Sequence, residues 1–301
     1  MNKVAREREV PASRISRLYN FGNLAAGLGV GALTEMTKRT FGLNDKNSTI
    51  STDALLDTSK SVFLTEENVT RIVDTLCKVR GAALKLGQML SIQDDSMISP
   101  SLQRIFDRVR QSADFMPWKQ TEQVLIESYG PNYMDRFEVF EKTPFAAASI
   151  GQVHLAQLKG STERIAIKIQ YPGVAKSIFS DIDNLMSIMN VAQLLPKGLY
   201  VENLVTVMKR ELSDECDYVR EADCYQKFSH LFKDDEVFRI PKVYTDLTTK
   251  QILASELIDG VPFDKCFELS QEERNYIGYN MLRLCLKELF EFHYMQVSLV
   301  Y

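Results

Sequence analysis

Three histidines, five cysteines and one tryptophan in 301 residues leave little material for metal or disulfide chemistry. Cys77, Cys216, Cys224, Cys266 and Cys285 are scattered, form no C-x-x-C pair and are odd in number, which argues against a secreted disulfide framework. The histidines have no ligand spacing, so a zinc site is not expected. Charge of one sign is also lacking: 36 basic against 40 acidic residues give a net −4 and no basic patch for a nucleic-acid partner. No internal repeat or low-complexity tract interrupts the chain. The first ten residues include Glu7 and Glu9, unlike an acid-poor transit peptide.

What is present is a globular composition, 45% hydrophobic, long enough for about two domains. Residues 18–33 are apolar and glycine-rich, with Gly27-x-x-x-Gly31 offering a small-residue helix face and Arg14, Arg17, Lys38 and Arg39 flanking them. The stretch falls short of the ~20 clean apolar residues of a spanning helix and contains Asn20 and Asn23. It is read as a marginal transmembrane segment within residues 1–43, the alternative being a buried or interfacial helix. Residues 44–61 read as a polar linker. Residues 62–143 form a helical block. Thr65-Glu66-Glu67 caps a helix whose apolar stripe runs through Ile72, Leu76, Val79, Ala83 and Leu86, and Lys85, Gly87 and Gln88 follow within VRGAALKLGQMLSIQDD. By themselves the Lys and Gln read as a solvated helix face.

Residues 144–171 carry a β-hairpin. Val153, Leu155 and Leu158 alternate with polar residues, Ser161-Thr162-Glu163 makes the turn, and Ile165-Ala166-Ile167 ends on Lys168. Ala146, Ala147, Ala148 and Ser149 form a small-residue entrance through which backbone amides could approach a phosphate. The competing reading is an ordinary hairpin with a surface lysine. Residues 173–195 and 204–232 read as two helices. The second buries Leu204, Met208, Leu212, Cys216 and Val219 and carries Glu211, Asp214, Glu215, Asp217 and Glu221. Glu215 and Glu221 lie about 240° apart on an ideal helix and would serve two partners, whereas Asp217 and Glu221 share a side and Glu211 is placed in solvent. Residues 237–244 and 251–257 are expected as strands. Residues 271–296 are expected as a helix with Ile277, Met281, Leu284, Cys285, Leu289 and Phe292 on one face.

Ile165-Ala166-Ile167-Lys168 matches the V-A-I-K strand of protein kinases, whose lysine pairs the α/β-phosphates and a helix glutamate. Together with K-x-G-Q at Lys85 and Gln88, A-A-A-S at residues 146–149, E-C-D-Y-x-x-E at residues 215–221 and RQSADFMP at 110–117, the chain resembles the UbiB/ABC1 family of atypical kinases. The likeness is closest to mitochondrial members acting in coenzyme Q (ubiquinone) biosynthesis and covers about residues 14–296. The resemblance implies an α/β (α+β) protein-kinase-like fold with a helical N-terminal extension. A complete small lobe would occupy residues 144–257, and the hinge and start of a truncated large lobe residues 258–301. It implies that Lys168 contacts nucleotide phosphates and pairs with Glu221. The alanine loop 146–149 would replace the glycine loop and bias nucleotide preference. Lys85, Gly87 and Gln88 would fold over the peptide-substrate site, answered by Glu215 and Asp217, and Glu256 and Ile258 would lie in the hinge that receives adenine.

The same resemblance implies ATP or ADP as ligand, with magnesium in full-length relatives. It also implies an inner-membrane, matrix-facing mitochondrial location, an isoprenoid lipid or coenzyme Q biosynthetic enzymes as partners, and a dimer through the Gly27 and Gly31 helix. The departure comes after residue 296, where the family's catalytic loop and D-F-G-like motif have no counterpart. Phosphoryl transfer needs a metal on the phosphates and a residue orienting the nucleophile. The expectation is therefore nucleotide binding without turnover, with no metal ligand in this chain. The alternatives are a pseudokinase or lipid- and protein-interaction module, and a non-functional fragment with Leu284, Leu289 and Phe292 uncovered.

Overall fold

The computed structural model describes residues 7–40, 65–79, 81–91, 100–110, 114–191, 201–261 and 263–295. The expected linker 44–61 and the final residues 296–301 lie outside these. The centre is an antiparallel sheet of β1 (Phe137–Phe140), β3 (Gly151–Leu158), β4 (Arg164–Gln170) and β5 (Ile252–Glu256) in that order, with the short β2 (Ala146–Ala147) beside β3. The β3–β4 hairpin appears where the alternation placed it. Ile165, Ile167 and Ile169 of β4 are fully buried on one face, so a one-residue slip would drive all three out of the core. The opposite face carries Lys168 and Gln170. The sheet begins with β1, ahead of the expected boundary at residue 144.

Two local expectations fail. Residues 237–244 are not a strand: Val243 alone bridges Ser255. Pro241 has no amide for a ladder, and the amides of Val237 and Phe238 are instead taken by the Asp235 carboxylate at 3.0 and 3.3 Å. The expected helix 204–232 is two helices, α7 (Val201–Glu215) and α8 (Tyr218–Leu231). Gln170 draws the Cys216 carbonyl into a buried bond at 2.9 Å, and Asp217 starts α8 as its N-cap, accepting from the Arg220 amide. The 240° separation of Glu215 and Glu221 therefore does not describe one helix.

The helical layer comprises α1 (Arg14–Thr40), α2 (Glu66–Val79), α3 (Gly81–Ser91), α4 (Pro100–Arg110), α5 (Trp118–Tyr129) and α6 (Val174–Val191). One core joins it to the sheet, with the predicted stripe Ile72, Leu76, Val79, Ala83 and Leu86 inside it. α1 packs on α2 and α6 through Phe21, Leu24 and Leu28. A Cβ at Gly31 would meet the Asn68 side chain at 2.3 Å, and one at Gly27 would meet Arg71 at 3.3 Å. The small-residue face is thus occupied by α2, so a dimer through Gly27 and Gly31 would have to displace it. Arg17, read as a basic flank, is buried and donates to Asp181 at 2.6 Å. No helix among the described residues is long and apolar enough to cross a membrane. α1 has the length, but its polar residues and buried arginine deny it the apolar content.

The sheet leads by residues 257–261 to α9 (Gln271–Leu286), begun by a Ser270–Glu273 capping box and continued by a π-helical turn, Lys287–Glu291. The expected buried stripe is only partly covered: Cys285 and Leu289 are exposed, Ile277, Met281 and Leu284 half-buried, and Phe292 packs edge-on against Phe232.

Candidate functional site

β4 delivers Lys168 to the polar face of the sheet, and the first turn of α8 delivers Glu221 opposite it. Lys168 Nζ lies 2.8 and 3.0 Å from the two carboxylate oxygens of Glu221. Both side chains are largely removed from water, 11% and 19% exposed, so each charge depends on the other. The ring of Tyr218 lies 4.7 Å from the Lys168 ammonium and adds a cation–π contact. Tyr218 is fully buried, its hydroxyl has no hydrogen-bond partner among the described residues, and burial followed by the nearby Glu221 and Glu215 charges pushes its ionisation up. Burial and the adjoining Glu215 also push the Cys216 thiol up to about 12, which makes it an inert core group.

The alanine-rich loop closes one side. Ala146 and Ala147 pair with Val153 and Gln152, and the Ala148 amide donates to Gly151 O at 2.8 Å, making a tight turn over residues 148–151. Ser149 donates its hydroxyl to Glu215 at the end of α7. Lys85, on α3 and 6% exposed, reaches the same helix end: its Nζ is 3.1 Å from Glu211 and 3.9 Å from Glu215.

The structure therefore brings together Lys168, Glu221, Ser149, Glu215 and Lys85. Glu211 is not in solvent as the sequence suggested; it is the nearer partner of Lys85. Asp217 is the N-cap of α8 and does not face Lys85. Gly87 and Gln88 fall on α3, but their side chains lie outside the described residues. Glu256 ends β5 and binds the Lys242 amide and the Arg239 guanidinium, which hold its carboxyl below its ordinary range, while Ile258 is exposed.

Tyr218 and Gln170 escaped sequence reasoning, although signals for both existed. Gln170 is two residues beyond Lys168, hence on the same strand face, and Tyr218 is three before Glu221, hence on the same helix face. Among the described residues no group of three or more His, Cys, Asp or Glu side chains could hold a metal ion.

Residues 108–299 match the family described as the ABC1 atypical kinase-like domain. The zebrafish (Danio rerio) protein named atypical kinase COQ8B, mitochondrial, is 55% identical over 99% of this chain and 46% of its own length. The Rattus norvegicus protein of the same name is 54% identical over 98% of this chain and 54% of its own. The Saccharomyces cerevisiae atypical kinase COQ8, mitochondrial, is 43% identical over 96% and 55%. This chain thus spans about half the length of the curated relatives it matches.

Proposed function

The chain belongs to the ABC1 atypical kinase-like family, and from that premise we propose that it is the nucleotide-binding half of an atypical kinase or ATPase supporting ubiquinone biosynthesis. ATP or ADP sits between the alanine-rich loop and β4, with Lys168 on its phosphates and the backbone of residues 256–258 beside the adenine. The observation that carries this reading is the Lys168–Glu221 pair, held in low exposure next to a loop of small residues. Glu221 fixes the ammonium so that it meets a phosphate without first being ordered. Tyr218 holds it from below. The amide of Ser149 makes no bond to other described residues and can serve as a phosphate donor.

The mitochondrial names of the relatives support a mitochondrial location; the matrix side of the inner membrane is the finer part of the proposal. A second reading, as an interaction module for an isoprenoid lipid or for coenzyme Q biosynthetic enzymes, is favoured by one observation. The outer face of α1 exposes Ile15, Leu18, Val30, Leu33 and Met36.

Calorimetric titration of residues 1–301 with ADP and with ATP separates the two readings. The nucleotide reading expects saturable binding that falls at least tenfold in Lys168→Met. Equal binding by the two proteins, or none by the wild type, removes it.

A further inference from the structure

Lys85 stands between two carboxylates one turn apart on α7. It bonds Glu211 directly at 3.1 Å and remains within ion-pair range of Glu215 at 3.9 Å. Glu215 in turn accepts the Ser149 hydroxyl through one oxygen, while its other, buried oxygen faces Lys85 with no hydrogen bond of its own. Glu211 and Glu215 are like charges at i and i+4, a spacing that is repulsive unless a cation lies between them. Lys85, 7% exposed at its side chain, is that cation.

Without it Glu215 loses the charge that holds it at the base of the loop, and water becomes its better environment. The Ser149 bond, strong because its acceptor is ionised, then weakens. Ser149 is also where the loop meets the helical layer through a side chain. The loop's other ties are the backbone bonds of Phe145 and Ala148, the Ile150 carbonyl accepting from the Tyr171 amide at 2.8 Å, and the β2–β3 pairing.

We propose that Lys85 is a positioning residue for the alanine-rich loop, acting through Glu215 on Ser149. The side chains Glu211, Lys85, Glu215 and Ser149 form a relay that sets how tightly the loop closes over the phosphate side of the site. The helical extension, rather than the nucleotide, then governs loop position. The relay rests on the nucleotide reading only for what the loop covers; its own geometry is independent of any ligand.

Amide hydrogen exchange of the segment 146–151 in the full chain, without nucleotide, tests it. Ser149→Ala is expected to raise the exchange rate roughly tenfold, and Lys85→Met to raise it comparably, although the ion pairs of Lys85 are with Glu211 and Glu215 and not with the loop. Ser149→Thr, which keeps the hydroxyl, is expected to stay near the wild-type rate. Because both changes act on one bond, Lys85→Met/Ser149→Ala should exchange no faster than either single variant. Glu215→Gln keeps the side-chain shape and removes the charge, and it replaces Lys85→Met in the same cycle should that protein not fold. Wild-type loop exchange in both Lys85→Met and Glu215→Gln, or additive effects in the double variant, would overturn the relay. Loss of nucleotide binding with the expected exchange pattern would sink the proposed function and leave the relay standing.

Discussion

Lys168 and Glu221 show how far single residues could be read. An ammonium at the end of an apolar strand needs a counter-charge, and the chain supplies one 53 positions later. That much was legible from I-A-I-K and an acidic helix. The neighbours of Lys85 were not, because Glu211 in a run of carboxylates looks like every other solvated glutamate until α3 packs across α7. Asp217 was misassigned for a similar reason: an N-cap is recognisable only once the helix is known to restart there.

The pair also makes a measurable claim. Removing one member of a buried ion pair leaves the other charge uncompensated, at about 3–5 kcal/mol. With 11% and 19% residual exposure the lower end of that range applies, so Glu221→Ala is expected to cost about 3 kcal/mol in urea unfolding. Asp223→Ala, an exposed carboxylate two residues along α8, should change stability by no more than about 0.5 kcal/mol. Equal midpoints for the two variants would remove the pairing.

Among elements, the hairpin and the stripe of α2 and α3 followed their periodicities, whereas Val219, expected in the buried stripe, is exposed and the α9 stripe is only partly covered. The break between α7 and α8 followed none, since it depends on a side chain from β4 taking a helix carbonyl. The fastening of α9 was equally invisible in the sequence. Arg283 grips Asp235 with two bonds of 2.8 and 2.9 Å, and its guanidinium lies 4.6 Å from the Phe238 ring centroid. Nearby, the Tyr294 hydroxyl and the Cys224 thiol are 2.8 Å apart, and the Tyr294 ring packs on Phe228. These contacts tie α9 and the turn after it to α8 and the loop that follows.

The bonds from Arg283 hold the Asp235 carboxyl down to about 2 from an ordinary 3.8. A carboxyl depressed by folding contributes its full stabilisation above the unfolded value and loses it as pH falls through the folded one. The attachment of α9 is therefore expected to weaken between pH 3.8 and about 2. In native-state exchange, α9 amides of the wild type should lose protection across that window. In Asp235→Asn they should already be less protected at pH 5 and change less on acidification. Parallel pH profiles for the two proteins would contradict the clamp.

At the scale of the whole molecule, the family and the mixed helix and antiparallel-sheet architecture could be recognised from the sequence, whereas the placement of α1 could not. A glycine-rich apolar stretch with basic flanks looks the same whether it meets lipid or protein. What decides is Arg17, which enters the core and pairs with Asp181, itself bonded by Ser177 at 3.0 Å. Burial lowers the Arg17 pKa and raises that of Asp181, each opposed by the partner's charge, so the pair exists at a desolvation cost. Arg17→Met alone is expected to destabilise by about 3–5 kcal/mol, because Asp181 is left buried and unpaired. Arg17→Met/Asp181→Leu should recover most of that loss, as apolar replacement of a buried pair is often neutral or better. Chemical denaturation of the three proteins measures both, and a double variant no better than the single would show that packing rather than charge fixes α1.

The same contact orders events in time. Arg17 and Asp181 are separated by 164 positions, and the Val10 amide waits for the Gln120 side chain 110 positions away. At a synthesis rate of roughly 5–20 residues per second, α1 leaves the ribosome about 10–30 s before α6 exists to receive it. During that interval Phe21, Leu24 and Leu28 have at most α2 to pack against, and the side of the helix that α6 will cover is available to whatever binds apolar segments in a nascent chain. In refolding from denaturant the whole chain is present at once, and the long separation alone sets the order: under pulsed exchange the amides of the local β3–β4 hairpin are expected to be protected first and those of residues 14–40 last.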